Sequence, residues 1–181
     1  MVLQTNRLTL LSPQEVTAAL VCAYYSDNRE FLKTFSPLRD DSFYAEAHQQ
    51  KLLNSQISDW ESGRGYRFYI ALKGSNPIIG SIALSNIIRG AFQSCHLGYQ
   101  LDGAHTGQGY MTEAVKRIVV FGFEELKLHR IEGNVIPRNL PSRAVLEKSG
   151  FVSEGLSNKY LKINGKWEDH LHYVILNEAL E

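Results

Sequence analysis

The stretch Leu97-Gly98-Tyr99-Gln100-Leu101-Asp102-Gly103-Ala104-His105-Thr106-Gly107-Gln108-Gly109-Tyr110-Met111-Thr112-Glu113-Ala114 limits the possible folds more than any other part of the chain. It passes from an extended segment through a glycine-rich turn into an amphipathic helix, whose Met111, Ala114, Val115, Ile118, Val119 and Phe123 lie close to one face. Three strand-like runs precede the turn, over 67–72, 78–88 and 92–101, joined by Gly74-Ser75-Asn76-Pro77 and by Arg89-Gly90. Links this short make the three neighbours an antiparallel meander. The turn presents backbone N–H groups with little side chain in the way, and the helix adds its positive end. Together they suit a phosphate or pyrophosphate.

Spacing narrows the ligand. A P-loop needs four residues between its first glycine and Gly-Lys-Ser/Thr, but Gly103 and Gly107 are separated by three and no lysine follows. The dinucleotide fingerprint needs a glycine where Thr112 stands, inside a parallel βαβ unit near the N-terminus. A plain structural turn is compatible with the turn alone.

The rest of the chain supplies the context. Arg7-Leu8-Thr9-Leu10-Leu11 is a first strand. Ser12, Pro13 and Glu15 make a capping box for a helix over 12–25. A short helix over 30–35 ends before Pro37, and Ser42 caps a longer one over 42–60. The helix after the turn runs to 127, 130–136 is a β-branched strand, and 139–148 is a helix closed by Gly150. The segments 151–163 and 166–176 flank Asn164-Gly165, a strong hairpin signal. The order β-α-α-α-β-β-β-α-β-α-β-β, with no repeat or linker, predicts one α/β (α+β) domain over 1–181. Trp60, Tyr66, Phe68 and Tyr69 are expected in its core, and Trp167, Glu168, Asp169 and His170 on a solvated surface.

Composition excludes several functions. Lysine plus arginine and aspartate plus glutamate number 19 each, which argues against a nucleic-acid partner. Cys22 and Cys95 stand far apart with no CxxC pair, so no metal site or disulfide framework is expected. No stretch reaches the roughly 20 apolar residues that span a bilayer, and no signal-peptide run is present. A soluble, cytoplasmic protein without a membrane partner is the expectation.

Downstream of the turn comes Asn139-Leu140-Pro141-Ser142-Arg143-Ala144-Val145-Leu146-Glu147-Lys148-Ser149-Gly150-Phe151. Here the chain resembles the GNAT superfamily of acyl-CoA-dependent N-acetyltransferases. Gly-x-Gly-Tyr-x-Thr-Glu-Ala over 107–114 is similar to that family's pyrophosphate motif, and Asn-x-x-Ser-x-x-Val-Leu-x-Lys-x-Gly-Phe to its second cofactor motif. With Leu128-His129-Arg130-Ile131-Glu132, Thr5-Asn6-Arg7-Leu8-Thr9-Leu10 and Asn28-Arg29-Glu30-Phe31-Leu32, they look most like the ribosomal-protein-alanine N-acetyltransferase branch. The family pattern often has Gln or Arg at the position of Ala104. That departure is expected to weaken cofactor affinity modestly.

The resemblance implies a mostly antiparallel, splayed central sheet with helices on both sides. It implies transfer of an acetyl group from acetyl-CoA to a primary amine, by direct attack on the thioester. The strand 97–101 would leave its neighbour at a bulge and expose backbone N–H groups to the thioester and pantetheine, with Tyr99, Gln100 and Leu101 as cofactor-binding residues and one N–H near Tyr99 or Gln100 serving the oxyanion. Thr106, Gly107, Gln108, Gly109, Tyr110 and Met111 would hold the pyrophosphate. Asn139 would bind the pantetheine arm, and Ser142 would bind the cofactor and donate a proton to the sulfur; both also suit helix capping. The glutamate that the branch offers as a base is missing, because Leu161 stands in its place. Glu132 is the base carried forward, with His96 and Glu113 as alternatives. A base is also dispensable if the acceptor has a low pKa. An α-amine, with a reference pKa near 8, is roughly a tenth neutral at pH 7, far more than lysine near 10.4. The expected acceptor is a protein N-terminus, such as that of a ribosomal protein, and the enzyme a monomer or homodimer. A small-molecule amine (polyamine or antibiotic) and a noncatalytic acyl-CoA sensor are the alternatives.

Overall fold

The computed structural model describes residues 1–180. Glu181, the last residue of the expected 1–181 span, lies outside the described residues. The strands are β1 (Val2–Gln4), β2 (Leu8–Leu11), β3 (Tyr66–Leu72), β4 (Ile78–Ile88), β5 (Ser94–Leu101), β6 (Arg130–Val135), β7 (Val152–Ile163) and β8 (Lys166–Leu176). The helices are α1 (Ala18–Asp27), α2 (Arg29–Leu32), α3 (Glu46–Glu61), α4 (Tyr110–Glu124) and α5 (Leu140–Lys148). One eight-stranded sheet has the order β1-β2-β3-β4-β5-β6-β8-β7. The pairing is antiparallel except between β5 and β6.

Local chemistry explains where the elements differ from expectation. Val2 begins an unforeseen strand, and the Met1 ammonium before it donates to Ser12 Oγ at 2.8 Å and Glu15 Oε1 at 2.9 Å. With those oxygens taken, no capping box forms. Residues 13–15 make a 3-10 turn, and α1 starts later, with Thr17 Oγ1 accepting from Leu20 N–H. Likewise Asp40 Oδ1, rather than Ser42, accepts from Phe43 N–H at 3.1 Å, which sets a 3-10 turn before α3. α2 is a single turn, shorter than 30–35. α4 stops three residues before 127, where Lys127 turns left-handed at φ 52°. The hairpin between β7 and β8 forms as expected, with φ 51° at Asn164 and 86° at Gly165.

Helices cover both faces of the sheet. Phe68 and Ile70 of β3 join Ile82, Leu84, Leu97 and the buried stripe of α4 on one side. Tyr69, between them, points to the other side, toward Ala18, Val21 and Tyr24 of α1 and Leu53 of α3. β4 is accordingly buried from Ile78 through Leu84, as a strand sandwiched by helices should be. In α4 the buried aromatic is Phe121 rather than Phe123. Its ring lies 5.4 Å from Phe68 and 5.6 Å from Tyr66. The expected core set holds, with Phe68 and Tyr69 fully buried and Trp60 and Tyr66 packed against the core.

The feature that positions a site is where the sheet comes apart. β5 pairs with β6 only from Ser94↔Arg130 to Leu97↔Gly133. On its other edge it stays paired with β4, from His96↔Ser85 to Leu101↔Gly80. Residues 98–101 therefore keep one bonded edge and lose the other. No bulge causes this. The register is unbroken over 96–101, and the irregularity lies at the opposite end, between Ser85 and Ile88, beside left-handed Asn86. α5 sits at the parting, and Leu146 lies against Gly133, the last rung, where a Cβ would stand 2.7 Å from Leu146 Cδ2.

A Cβ on Gly80 would lie 2.5 Å from the backbone oxygen of Gln100, so this glycine lets β4 approach the open segment. Gly80→Ala is expected to cost about 1–3 kcal/mol through the backbone shift it forces. Thermal unfolding should show this as a lower midpoint, by roughly 2–4 °C per kcal/mol.

Candidate active site

The parting opens a cleft of roughly 620 Å³. Its walls come from the open half of β5, the glycine-rich turn and first turn of α4, the end of β6 with α5, and a segment around α2 that includes Phe31 and Phe35. Ile163 and His170 of the last hairpin complete it.

The turn is held in the shape an anion cradle requires. Gly107 and Gly109 have φ of 74° and 80°, and a side chain at Gly107 would point into open space. Gly109 caps α4 without any side-chain acceptor for the first helical N–H groups. Asp102 Oδ1 accepts from His105 N–H at 2.9 Å, and Thr106 Oγ1 donates to Gly103 O at 3.0 Å, which sets the approach to the turn. Arg7, from the distant N-terminal segment, braces the far side. Its Nη1 donates to Gln108 O at 3.0 Å, its Nε to Glu113 Oε2 at 2.7 Å, and its guanidinium lies 4.5 Å above the Tyr110 ring.

At the open edge, the Tyr99 hydroxyl lies 3.0 Å from Ser142 O and 2.9 Å from Ser142 Oγ. The carbonyl accepts only, so with the phenol O–H directed at it the Ser142 hydroxyl donates to Tyr99; rotated toward Oγ, the phenol donates instead. Burial pushes the Tyr99 phenol up to about 12, partly opposed by its hydrogen bond with Ser142, so it stays protonated at neutral pH. Asn139 Oδ1 accepts from Ser142 N–H at 3.2 Å and caps α5, while both residues line the cleft. The capping role is thus real and does not remove them from the site.

The acetyltransferase (GNAT) domain model matches residues 7–152. The chain belongs to the GNAT acetyltransferase family. A probable N-acetyltransferase of Bacillus subtilis, YjcK, is 47% identical over 166 residues, 91% of this chain and 92% of that protein. The [ribosomal protein uS5]-alanine N-acetyltransferase of Escherichia coli is 35% identical, over 93% of this chain and 87% of that protein. Among solved structures, Mycobacterium smegmatis RimJ in complex with CoA-disulfide is 31% identical, with a TM-score of 0.87 over 96% of this chain and 83% of that one. The fold is therefore the splayed, mostly antiparallel sheet of a GNAT N-acetyltransferase, and the chain is an enzyme of that class.

On the GNAT frame, most of the predicted residues come together. Tyr99, Gln100, Leu101, Thr106, Gly107, Gly109, Tyr110, Met111, Asn139 and Ser142 all line one cleft. Two do not. The Gln108 side chain folds back so that Nε2 donates to Ala104 O at 3.0 Å, and its carbonyl takes Arg7. Glu132 does not line the cleft; Oε1 accepts from Arg130 Nε at 2.7 Å and Oε2 lies 3.7 Å from His96 Nε2. A carboxylate committed to a guanidinium outside the cleft is badly placed to take a proton there, which corrects its assignment as base. Glu113 is likewise committed, accepting from Thr5 Oγ1 at 2.6 Å and from Arg7. Leu161, at the missing glutamate's position, is exposed.

Sequence reasoning missed three sets of residues. Arg7 gave no signal, because its partners are 101 and 106 positions away. Phe31 and Phe35 had one: two aromatics in a short helix ending at proline, too short to bury both. His170 had none, since an alternating strand end reads as surface; it is 4% exposed.

Burial works to raise the Glu113 pKa, but hydrogen bonds from Thr5 and Arg7 outweigh it and hold the carboxyl below its ordinary value. A depressed carboxylate stabilises above its unfolded pKa, and that contribution is lost as pH falls through the folded value. Glu113→Gln is therefore expected to lower the denaturant midpoint near pH 7 and to shrink that deficit near pH 3. Arg7→Ala should weaken acetyl-CoA binding several-fold in calorimetry by loosening the turn.

Proposed function

We propose that the chain acts as a single N-acetyltransferase unit that moves an acetyl group from acetyl-CoA to the N-terminal α-amine of a protein, of the ribosomal uS5 kind, in the cytoplasm. The unpaired edge of β5 carries this reading. One N–H of the Tyr99–Gln100 pair, on the edge with no strand to bond, would receive the thioester oxygen as negative charge develops on it. The 106–111 turn fits the pyrophosphate, and Asn139 fits the pantetheine arm. The E. coli relative, 35% identical over 93% of this chain, supports the branch.

The acceptor nitrogen attacks the thioester carbon, and a C–N bond replaces the C–S bond. Ser142 gives its proton to the departing sulfur, Tyr99 replaces that proton through the 2.9 Å hydroxyl contact, and the proton that the nitrogen loses on becoming an amide restores Tyr99. The phenol suits this role because burial keeps it protonated. Binding, orientation and proton supply thus come from three elements that meet only at the parting of the sheet.

Mass spectrometry of N-terminal peptides and small amines incubated with acetyl-CoA tests the acceptor. Acetylation of an alanine N-terminus of a uS5-like peptide is expected. Exclusive acetylation of polyamines or antibiotics would reassign it, and acetyl-CoA binding without turnover would make the chain a sensor. Tyr99→Phe and Ser142→Ala should each lower kcat by roughly 10²-fold. If the two hydroxyls act as one relay, the double variant should be little worse than either single one.

A further inference from the structure

With Glu132 and Glu113 both committed elsewhere, the cleft still holds one uncommitted titratable side chain on its hairpin wall. His170 lines the cleft and is 4% exposed. Its Nδ1 lies 3.1 Å from the backbone oxygen of Glu168. A carbonyl only accepts, so Nδ1 carries the hydrogen, and in the neutral ring Nε2 keeps the lone pair. Among the described residues Nε2 has no hydrogen-bond partner.

The sheet register puts His170 level with the open edge of β5. The last rung between β6 and β8 is Val135↔Leu171, so His170 comes level with Ile136. The last rung between β5 and β6 is Leu97↔Gly133, so Tyr99 and Gln100 come level with Val135 and Ile136. His170 therefore stands on β8 beside the same stretch at which β5 loses its partner. Tyr160 of β7 covers it, with ring centres 5.4 Å apart, and touches His172 at 4.7 Å. The Glu168 carboxylate on the same strand is satisfied by Arg138, at 2.7 and 2.9 Å, and by Lys166 at 3.6 Å.

We propose that His170 is the general base of the transfer, its Nε2 taking the proton that the acceptor amine must lose. The proposal rests on the amine-acetylation reading above and does not depend on which amine is used. The balance is simple. The acceptor ammonium gives one proton to Nε2 and attacks as a neutral amine, the C–N bond forms as C–S breaks, and the sulfur takes its proton from Ser142. The second nitrogen proton lost on forming the amide returns through Tyr99 and Ser142 or leaves to solvent, and His170 releases its own proton to solvent. The titratable and charged groups around His170 on the hairpin are Tyr160, His172 and Glu168, the last with Arg138 and Lys166. A buried imidazole held in one tautomer by a backbone carbonyl needs no further side chain to orient it.

The test is a pH profile of kcat/KM on the full chain, with two accepted amines of different pKa. A descending acid limb that stays at the same pH for both amines is expected. A limb that moves with the amine pKa would overturn the proposal. His170→Gln keeps a polar side chain of similar reach and should remove the fixed limb. It should also lower kcat by roughly 10²-fold, with acetyl-CoA affinity within about twofold in calorimetry. His170→Ala should regain activity with added imidazole. If His170→Gln binds acetyl-CoA normally and keeps both the limb and its turnover, His170 is not the base. Running the profile on whichever amines the wild type accepts separates the two readings: a failure of all N-terminal peptides overturns the acceptor, and an unchanged limb overturns the base.

Discussion

The structure depends on four parallel rungs between Ser94–Leu97 and Arg130–Gly133, and on the absence of a fifth. Backbone N–H and C=O groups are obligatory hydrogen-bonding groups, and a sheet normally pairs them on both sides. Here β5 remains bonded to β4 to its end while β6 leaves with β8. The unpaired edge costs stability unless something polar occupies it. The same edge is what an acyltransferase needs, since a thioester oxygen is an acceptor that arrives with the substrate. The helices follow from that arrangement: α4 begins at one side of the gap, and α5 fills its angle.

Much of this was legible in the chain. The 3.6-residue stripe of α4, the meander before it and the Asn164-Gly165 hairpin were readable because each is a local pattern with a local physical cause. The glycine turn was readable for the same reason, because Gly107 and Gly109 adopt conformations that other residues resist. The paired motifs then named the family and located ten cleft residues. What stayed hidden was nonlocal. The capping box at Ser12 and Glu15 is sound sequence chemistry, yet the Met1 ammonium takes both oxygens. Glu132 is a plausible base until Arg130 is seen to hold it. His170 looks like surface until Tyr160 and the cleft wall close over it. The first and last of these reversals come from a partner on another strand or segment, which periodicity does not report; the Arg130–Glu132 pair lies within β6 and is set by side-chain direction.

The electrostatics are economical for a chain of zero formal net charge. Arg7, Arg130 and Arg138 are each paired with a carboxylate at 2.7 Å; the Arg7 and Arg138 pairs tie distant segments to the frame around the cleft, while Arg130 holds Glu132 within β6. Arg7 differs in also bonding the turn itself. Ala104 leaves the turn without the long polar side chain common there in the family, and Arg7 brings a cation to the same turn from another direction.

The tip of the last hairpin has one further relation to the cleft. Asn164 Oδ1 accepts from Leu38 N–H at 2.7 Å, and its Nδ2 donates to Ser36 O at 3.3 Å. Ser36 and Ile163 lie on two walls of the cleft. The side chain of one turn residue thus joins those walls by a route separate from the sheet. Topologically the rim becomes a loop of chain with a fastening. A trench admits the middle of a strand laid along it, whereas a fastened loop must be threaded or unfastened. Whatever enters beside Asn164 either leads with an end or breaks two hydrogen bonds.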